Sequence, residues 1–534
     1  ERCDDEKARD SNLVKFVYLK KKLREILPVG ESEEERWSYV ERFVNFVENC
    51  DKDERIRNQM KKIEFLGKTL WIYENEDFRI TMISQADLWA EGWNEEENKY
   101  EGSKWGKYIR APEIFFKVLE KGKELFVPLK KIAEVRFGIK TGANEFFYLT
   151  RERINELKIE REFWMHPVKY DEWLKIKDFI PKEDIWIDKN GEYFKRSQYA
   201  EKYELDDVLI DGNVIWVPNY VIKSPRECKS IIVDPKDLKY RALIIHKDKR
   251  DLRGTNILKY IEWGEEQRFH ERPTCKSRTR WYELNEVRGE LLCMMSLNDR
   301  HIFWLNDVNS FIDARLYGIS LKESYSGKER ILSAILNSSF IPMFVELSGR
   351  VNLGQGALDV KVYEYGKMPI IDPNLIEETQ ITKINAILDR ISKRKIGSVF
   401  EEIGVKDPNK VSLDNVAPDR RDLDRIIMRD ILGLTEEEQL EVYKAVIDLV
   451  KTRIERARTV ARRRKKKGVD IEALANSIVN RLTTKIKRFP DAYLGDYKGL
   501  WSDEIRIPKG KPTIGSDIGG FYAVSYTHLT LPTN

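Results

Sequence analysis

The side chains whose types and spacing could do chemistry in this sequence are hydrogen-bond donors and cations rather than nucleophiles. Val135-Arg136-Phe137-Gly138-Ile139-Lys140-Thr141-Gly142-Ala143-Asn144-Glu145-Phe146-Phe147-Tyr148-Leu149 places two glycines, a Lys, a Thr and an Asn between two apolar runs. It reads as a hairpin whose tip could approach a phosphate, because glycine amides, a hydroxyl and an ammonium donate without steric bulk. An ordinary hairpin turn would use the same residues. A second segment, Ser348-Gly349-Arg350-Val351-Asn352-Leu353-Gly354-Gln355-Gly356-Ala357-Leu358-Asp359-Val360-Lys361, sets Arg350, Asn352, Gln355 and Lys361 in or beside a glycine-rich loop. Arg pairs with guanine edges and Asn or Gln with adenine, so this loop suits base reading, although a flexible surface loop fits it too.

Between them, Lys276, Arg278 and Arg280 alternate with hydroxyls ahead of Trp281 and Tyr282. That pattern suits backbone contacts with a base stacked alongside, or equally a solvated basic strand entering a core. The run Arg462-Arg463-Arg464-Lys465-Lys466-Lys467 would grip a polyanion without specificity, or simply end a helix in water. The five histidines (His166, His246, His270, His301, His528) form no i, i+4 pair, and the five cysteines (Cys3, Cys50, Cys228, Cys275, Cys293) form no C-x-x-C. No metal site or Cys-His nucleophile is indicated, and the cysteines read as buried thiols. Glu156-Leu157-Lys158 has the E-x-K spacing of many nucleases, but so charged a chain yields it by chance. Formal net charge is only +4, from 95 basic and 91 acidic residues, so an anionic partner must be met by local basic patches.

The elements that would carry these segments fall into stretches. Residues 1–75 hold a strand-like run, Leu13 to Leu19, a helical pattern, Glu33 to Val47, and a mixed segment, Met60 to Tyr73. They suit the closing part of an α/β domain whose partner strands lie upstream. Residues 76–125, rich in Trp and Glu, read as a connector. Residues 126–373 carry short β-branched and aromatic runs, among them Ile185-Trp186-Ile187, Val214 to Val217, Ile231 to Val233, Ala242 to Ile245 and His301 to Leu305, with a helix at Lys328 to Asn337. From 374 to 480 the apolar period turns helical, over Ile376 to Ile391, Asp422 to Leu432 and Thr435 to Arg464, and Thr435 with Glu438 forms a capping box. Residues 481–523 read as a tail, and 524–534 resemble a translated sequencing adapter.

In their order and spacing, Gly138 to Phe147, Lys276 to Leu284 and Gly349 to Lys361 resemble the target-recognition region of N6-adenine DNA methyltransferases. Restriction-modification enzymes with methylase and recognition domain in one chain belong to that group. Met368 to Pro373 is similar to the strand that closes that region, and Pro418 to Val450 to a helical C-terminal extension, so the resemblance spans most of 126–465. It implies an S-adenosylmethionine-dependent catalytic domain ahead of these residues. The Asn/Asp-Pro-Pro-Tyr/Phe motif and the cofactor's glycine-rich loop are both missing from the 534 residues, so no catalytic or cofactor-binding residue is assigned.

The expectation is an α+β chain: a remnant of a Rossmann-like methyltransferase domain, a strand-rich recognition domain and a helical domain. Its expected role is target recognition on double-stranded DNA for N6-adenine methylation, catalytically silent alone and cytoplasmic. The DNA-binding residues would be Arg136, Gly138, Lys140, Thr141, Gly142, Asn144, Lys276, Arg278, Arg280, Arg350, Asn352, Gly354, Gln355, Gly356 and Lys361. The alternative is a non-enzymatic specificity subunit working with separate restriction-modification subunits.

Overall fold

Side-chain alternation builds the first sheet. In the computed structural model, β1 (Leu13–Leu19), β2 (Lys61–Phe65), β3 (Lys68–Glu74) and β4 (Phe78–Ser84) pair antiparallel in the order β1-β4-β3-β2, and helix α1 (Glu33–Asn49) separates β1 from β2 in sequence. The structure describes residues 10–29, 32–94, 98–100, 102–103, 105–169, 214–351, 356–466, 513–517 and 520–524. Leu66 and Gly67 turn β2 into β3 with φ of 46° and 74°, the left-handed pair that a two-residue hairpin needs. On β4, Phe78, Ile80 and Met82 face Phe43, Phe46 and Val47 of α1 in a small core, while Ile83 joins Ile63, Leu70 and Ile72 in the main one. Phe78 to Ser84, expected to open a connector, is an inner strand of the sheet, buried on both faces. A strand so covered need not alternate polar with apolar residues. Leu13 to Leu19, for which a partner was sought upstream, pairs with β4 over its whole length.

After β4 come helix α2 (Gln85–Gly92), a two-strand ribbon of β5 (Trp93–Asn94) with β6 (Lys99–Tyr100), and helix α3 (Glu113–Lys121). Ile114, Phe115, Phe116, Val118 and Leu119 of α3 are all buried. The strand-rich middle begins with β7 (Phe126–Pro128), β8 (Ala133–Phe137), a single turn α4 (Asn144–Phe147) and β9 (Tyr148–Thr150). It continues through β10 (Met165–Lys169), β11 (Val214–Pro218), β12 (Tyr220–Ile222), β13 (Tyr240–Ala242), α5 (Asn256–Glu266) and α6 (Pro273–Lys276). Then follow β14 (Leu291–Met294), β15 (Ser296–Leu297), β16 (Trp304–Leu305), β17 (Phe311–Ile312) and β18 (Leu316–Leu321). Two four-stranded sheets result, ordered β17-β12-β13-β9 and β16-β14-β18-β8. The expected hairpin at Val135 to Leu149 is therefore not one: β8 and β9 belong to different sheets, and the loop between them crosses from one to the other.

Helices α7 (Glu329–Leu336) and α8 (Ile341–Ser348) follow, buried almost throughout. Next are β19 (Arg350–Val351), β20 (Leu358–Asp359), the short helix α9 (Val362–Gly366) and β21 (Pro369–Ile371). β21 returns to pair with β7, so the end of this stretch closes against its beginning. The helical part has α10 (Glu378–Ile391), α11 (Pro418–Asp424) running into a π-helical stretch, Arg425–Ile431, and α12 (Glu436–Lys466). The architecture is α+β, and a single apolar cluster runs from Ile63 through the middle sheets to Val450.

By its contacts the chain divides into Glu1–Ala461 and Arg462–Asn534. In the second unit an antiparallel pair, β22 (Thr513–Asp517) and β23 (Gly520–Val524), is described. The expected strand Ile185 to Ile187, residue Cys3 and the segment from 525 onward lie outside the described residues. Cys50, Cys228, Cys275 and Cys293 are buried free thiols. Among the described residues no single helix is long and apolar enough to cross a membrane.

The capping box read at Thr435 is formed. The Glu438 amide donates to Thr435 Oγ1 at 3.2 Å, and the Thr435 amide to Glu438 Oε2 at 2.9 Å. Thr435→Ala should lower stability by about 1 kcal/mol, the ordinary worth of a lost N-cap, seen as a lower urea midpoint with an unchanged slope.

Candidate nucleic-acid interface

The loop from Gly138 to Asn144 is held on every side. A Cβ at Gly138 would stand 2.2 Å from the Asp313 carbonyl oxygen, so only glycine permits the approach to 312–316, where the Ile139 amide donates to the Ile312 carbonyl at 2.7 Å. Gly142 has φ of +78°, and a Cβ there would meet Thr274 at 2.8 Å. Both glycines serve the packing of the loop on its neighbours. Thr141 is 2% exposed and its hydroxyl donates to Asn144 Oδ1, while Asn144 Nδ2 donates to Asp313 Oδ2 at 3.1 Å. These two polar side chains point into the protein, where the sequence reading set them toward phosphate. Burial pushes the Asp313 carboxyl above its ordinary value, against the hydrogen bond from Asn144.

The loop's carbonyls are taken as well. Arg272 donates to the Gly142 carbonyl at 3.2 Å and to Glu145 at 2.6 Å; Arg278 donates to the Lys140 carbonyl; and Cys275 Sγ donates to the Thr141 carbonyl at 3.4 Å. What remains outward is Lys140, its Nζ 5.2 Å from the centroid of Phe137, a ring 44% exposed. Arg136 is exposed and forks onto Glu134 at 2.5 and 2.6 Å, a surface pair that water weakens.

The basic segment is a helical turn and a loop. Lys276 ends α6 and is exposed. Arg278 is half-buried, also donates to the Trp281 carbonyl at 3.3 Å, and sits over Phe147. Arg280 is bound to Glu283 at 2.9 and 3.0 Å and to Asp248 at 3.0 Å. Trp281 and Tyr282 are 9% and 3% exposed, and Trp281 packs on Phe146 at 4.7 Å, so these rings stack inside the protein and not on a base.

The second glycine segment is a hairpin whose strands, β19 and β20, pair through Arg350↔Asp359 and Val351↔Leu358. Asn352, Gly354 and Gln355 lie outside the described residues. Arg350 and Lys361 are exposed, and the Lys361 amide donates to Glu364 Oε2 at 2.7 Å, opening α9. Gly356 has φ of +72°, and a Cβ on it would meet Ala457 of α12 at 2.7 Å. Its carbonyl accepts from Arg453, which also reaches the Asn298 carbonyl and forks onto Glu346 at 2.7 and 2.8 Å. His301 Nε2 lies 3.0 Å from Glu346, and the side chains of Arg453, Glu346 and His301 are each 3–4% exposed. Sequence reading assigned this anchor no role. Its one signal was Glu346, a lone carboxylate in the apolar run Ile341-Pro-Met-Phe-Val-Glu-Leu.

An aromatic column runs from beside the first loop to α9. Phe137 meets Tyr317 of β18 at 4.9 Å, and Tyr317 meets Tyr365 of α9 at 6.1 Å, with α9 packed on β8. Phe137, beside Lys140, is thus linked through β18 to α9, which follows the Gly349–Lys361 hairpin, while the hairpin's own strands pair with β15 in a separate three-stranded sheet.

Residues 225–404 match the family model described as "Type II methyltransferase M.Eco57I, C-terminal domain", and over that span this chain resembles that domain. The match includes Lys276 to Arg280 and Gly349 to Lys361; Gly138 to Asn144 lies ahead of it. Among solved structures, the type IIG restriction endonuclease BpuSI aligns at 10% identity and a TM-score of 0.36, covering 84% of this chain and 48% of that one. The chain therefore spans about half the length of BpuSI. No curated protein matches.

Burial pushes the Glu346 carboxyl up, but hydrogen bonds and charge from His301 and Arg453 outweigh it and hold the group below its ordinary 4.5. A depressed folded value gives stability that is present above about pH 4.5 and is lost as the pH falls below it. Glu346→Gln should therefore flatten part of the fall in urea midpoint between neutral and acid pH. Arg453→Met, which strands the carboxylate, should cost about 3–5 kcal/mol of unfolding free energy at pH 7.

Proposed function

We propose that this chain reads a DNA target for a Type II restriction-modification methyltransferase that methylates adenine at N6. The observation that carries this reading is Lys140: an outward ammonium on a loop whose Thr141 and Asn144 side chains and Lys140, Thr141 and Gly142 carbonyls are engaged internally, beside the exposed ring of Phe137. Such a group is a point contact for a phosphate, held in place before the duplex arrives. Methylating a ring amino group requires the base to leave the stack, so a separate region must grip the duplex meanwhile. Residues 126–373 would do this. Lys140, Arg136 and Lys276 would meet the backbone, and Arg350, Asn352, Gln355 and Lys361 would meet base edges in the groove. Gly138, Gly142, Thr141, Asn144, Arg278 and Arg280 shape and hold the surface, and Gly356 shapes the second loop.

S-adenosylmethionine is the methyl donor this reading requires of the whole enzyme. Neither its glycine-rich loop nor the Asn/Asp-Pro-Pro-Tyr/Phe motif occurs in these residues, so they do not fit the cofactor and no step of methyl transfer is assigned to them. A cytoplasmic setting, where the DNA is, goes with this role.

Lys140→Ala should weaken duplex binding evenly across sequences and reduce the slope of log affinity against log salt by about 1. Equal slopes for variant and parent would remove the phosphate role. Arg350→Ala or Gln355→Ala should relax sequence preference, at about 1–3 kcal/mol per lost bidentate contact. A selection from randomised duplexes that returns the parental preference would reject base reading by this loop.

A further inference from the structure

A cavity of about 540 Å³ opens beside α2 and α9, on residues the DNA-reading proposal leaves unused. That is the size of a small-ligand site, about 300–1,000 Å³. Phe115 and Phe344 form part of its apolar lining, and Trp89 and Trp93 a wall. The two indoles lie 5.9 Å apart at 27°, and Tyr100 stacks on Trp89 at 4.5 Å and 18°, so the three rings form one stack that holds Trp89 and Trp93 in place. Trp89 itself is 42% exposed.

Four lysines line this cavity, Lys68, Lys107, Lys130 and Lys367, against two carboxylates, Glu91 and Glu364. Both carboxylates are already engaged. Glu91, with its side chain 4% exposed, accepts from Lys68 at 2.7 Å, Lys107 at 2.9 Å, Tyr108 at 2.5 Å and Ser103 at 3.0 Å. Burial pushes its carboxyl up, yet the two lysines and the hydrogen bonds hold it down at about 2. Glu364 accepts from the Lys361 amide. Glu91 therefore acts as a clamp that fixes two ammoniums at the cavity wall. An ammonium has three donors, and the bond to Glu91 uses one. Burial pushes Lys68 below its ordinary value, a charge that an incoming anion would relieve. Lys130 is exposed at the rim.

A braced aromatic wall beside clustered ammoniums calls for a ligand with a flat ring at one end and a compact anion at the other. We propose that this cavity binds a nucleoside phosphate, its base against Trp89 and Trp93 and its phosphate on Lys68, Lys107 and Lys130. Leu347, Ser348 and α9, which flank the second glycine hairpin in sequence, also line the cavity, so the nucleotide has two possible sources: a free mononucleotide, or one turned out of a bound strand. The site does not rest on Lys140 or on base reading by the hairpin.

Equilibrium dialysis of the full chain with radiolabelled adenosine monophosphate tests it. One saturable site is expected, with adenosine and ribose 5-phosphate each competing about tenfold or more less effectively, because each lacks half of the ligand. Trp89→Ala and Lys130→Ala, both at exposed side chains, should each weaken binding about tenfold or more while keeping the parent's far-UV circular dichroism. A short 5′-phosphorylated single-stranded oligonucleotide that displaces the mononucleotide identifies a strand as the source; failure to displace it identifies the free nucleotide. The proposal is overturned if both variants bind the mononucleotide as the parent does. It is equally overturned if the mononucleotide shows no saturable binding and oligonucleotide binding is unaffected by Trp89→Ala. The salt slope of Lys140→Ala on duplex DNA is a separate measurement, so either reading can fail without the other.

Discussion

A carboxylate placed inside an apolar helix must be paired or it destabilises the fold, and Glu346 is such a carboxylate. Its partner, Arg453, comes from a helix about a hundred residues further along the chain. The guanidinium has donors to spare after the fork onto Glu346, and it gives them to the carbonyls of Gly356 and Asn298. One buried ion pair therefore sets α8 against α12 and fixes the outgoing stem of the hairpin that carries Arg350. Gly356 completes the arrangement, since its left-handed backbone and missing side chain allow α12 to come as close as it does.

The loop before α4 solves a related problem by dividing its donors. Thr141 and Asn144 are turned inward and bonded to each other and to Asp313, and arginines from the following segment take up the outward-leaning carbonyls. Lys140 is the group left over. A cation on a loop so held needs little reordering when it meets a phosphate, whereas the same residue on a slack loop would lose conformational entropy on contact.

Glu91 illustrates the same use of a buried acid on a different scale. It collects two lysines, a tyrosine and a serine, and so turns two flexible cationic side chains into fixed points on the wall of a cavity. The aromatic side of that cavity comes from the Trp-rich stretch after β4, a stretch with little apolar periodicity of its own. In both places a carboxylate out of contact with water is what gives the cations their positions.

Local pattern in the sequence determined the first strand, helices α1, α7, α10 and α12, the cap at Thr435, the buried thiols and the α+β character of the chain. These rest on side-chain period and on bonds between near neighbours, which a window of residues contains. It also determined which segments hold donors suited to a nucleic acid. Tertiary structure alone decided which of those donors face outward: Thr141, Asn144, Arg278 and Arg280 have the same local credentials as Lys140, and only partners such as Asp313, Asp248 and the Lys140 carbonyl separate them. It likewise made β4 an inner strand and split the supposed hairpin between two sheets, because burial on both faces and pairing with distant strands leave no periodic trace in the residues themselves.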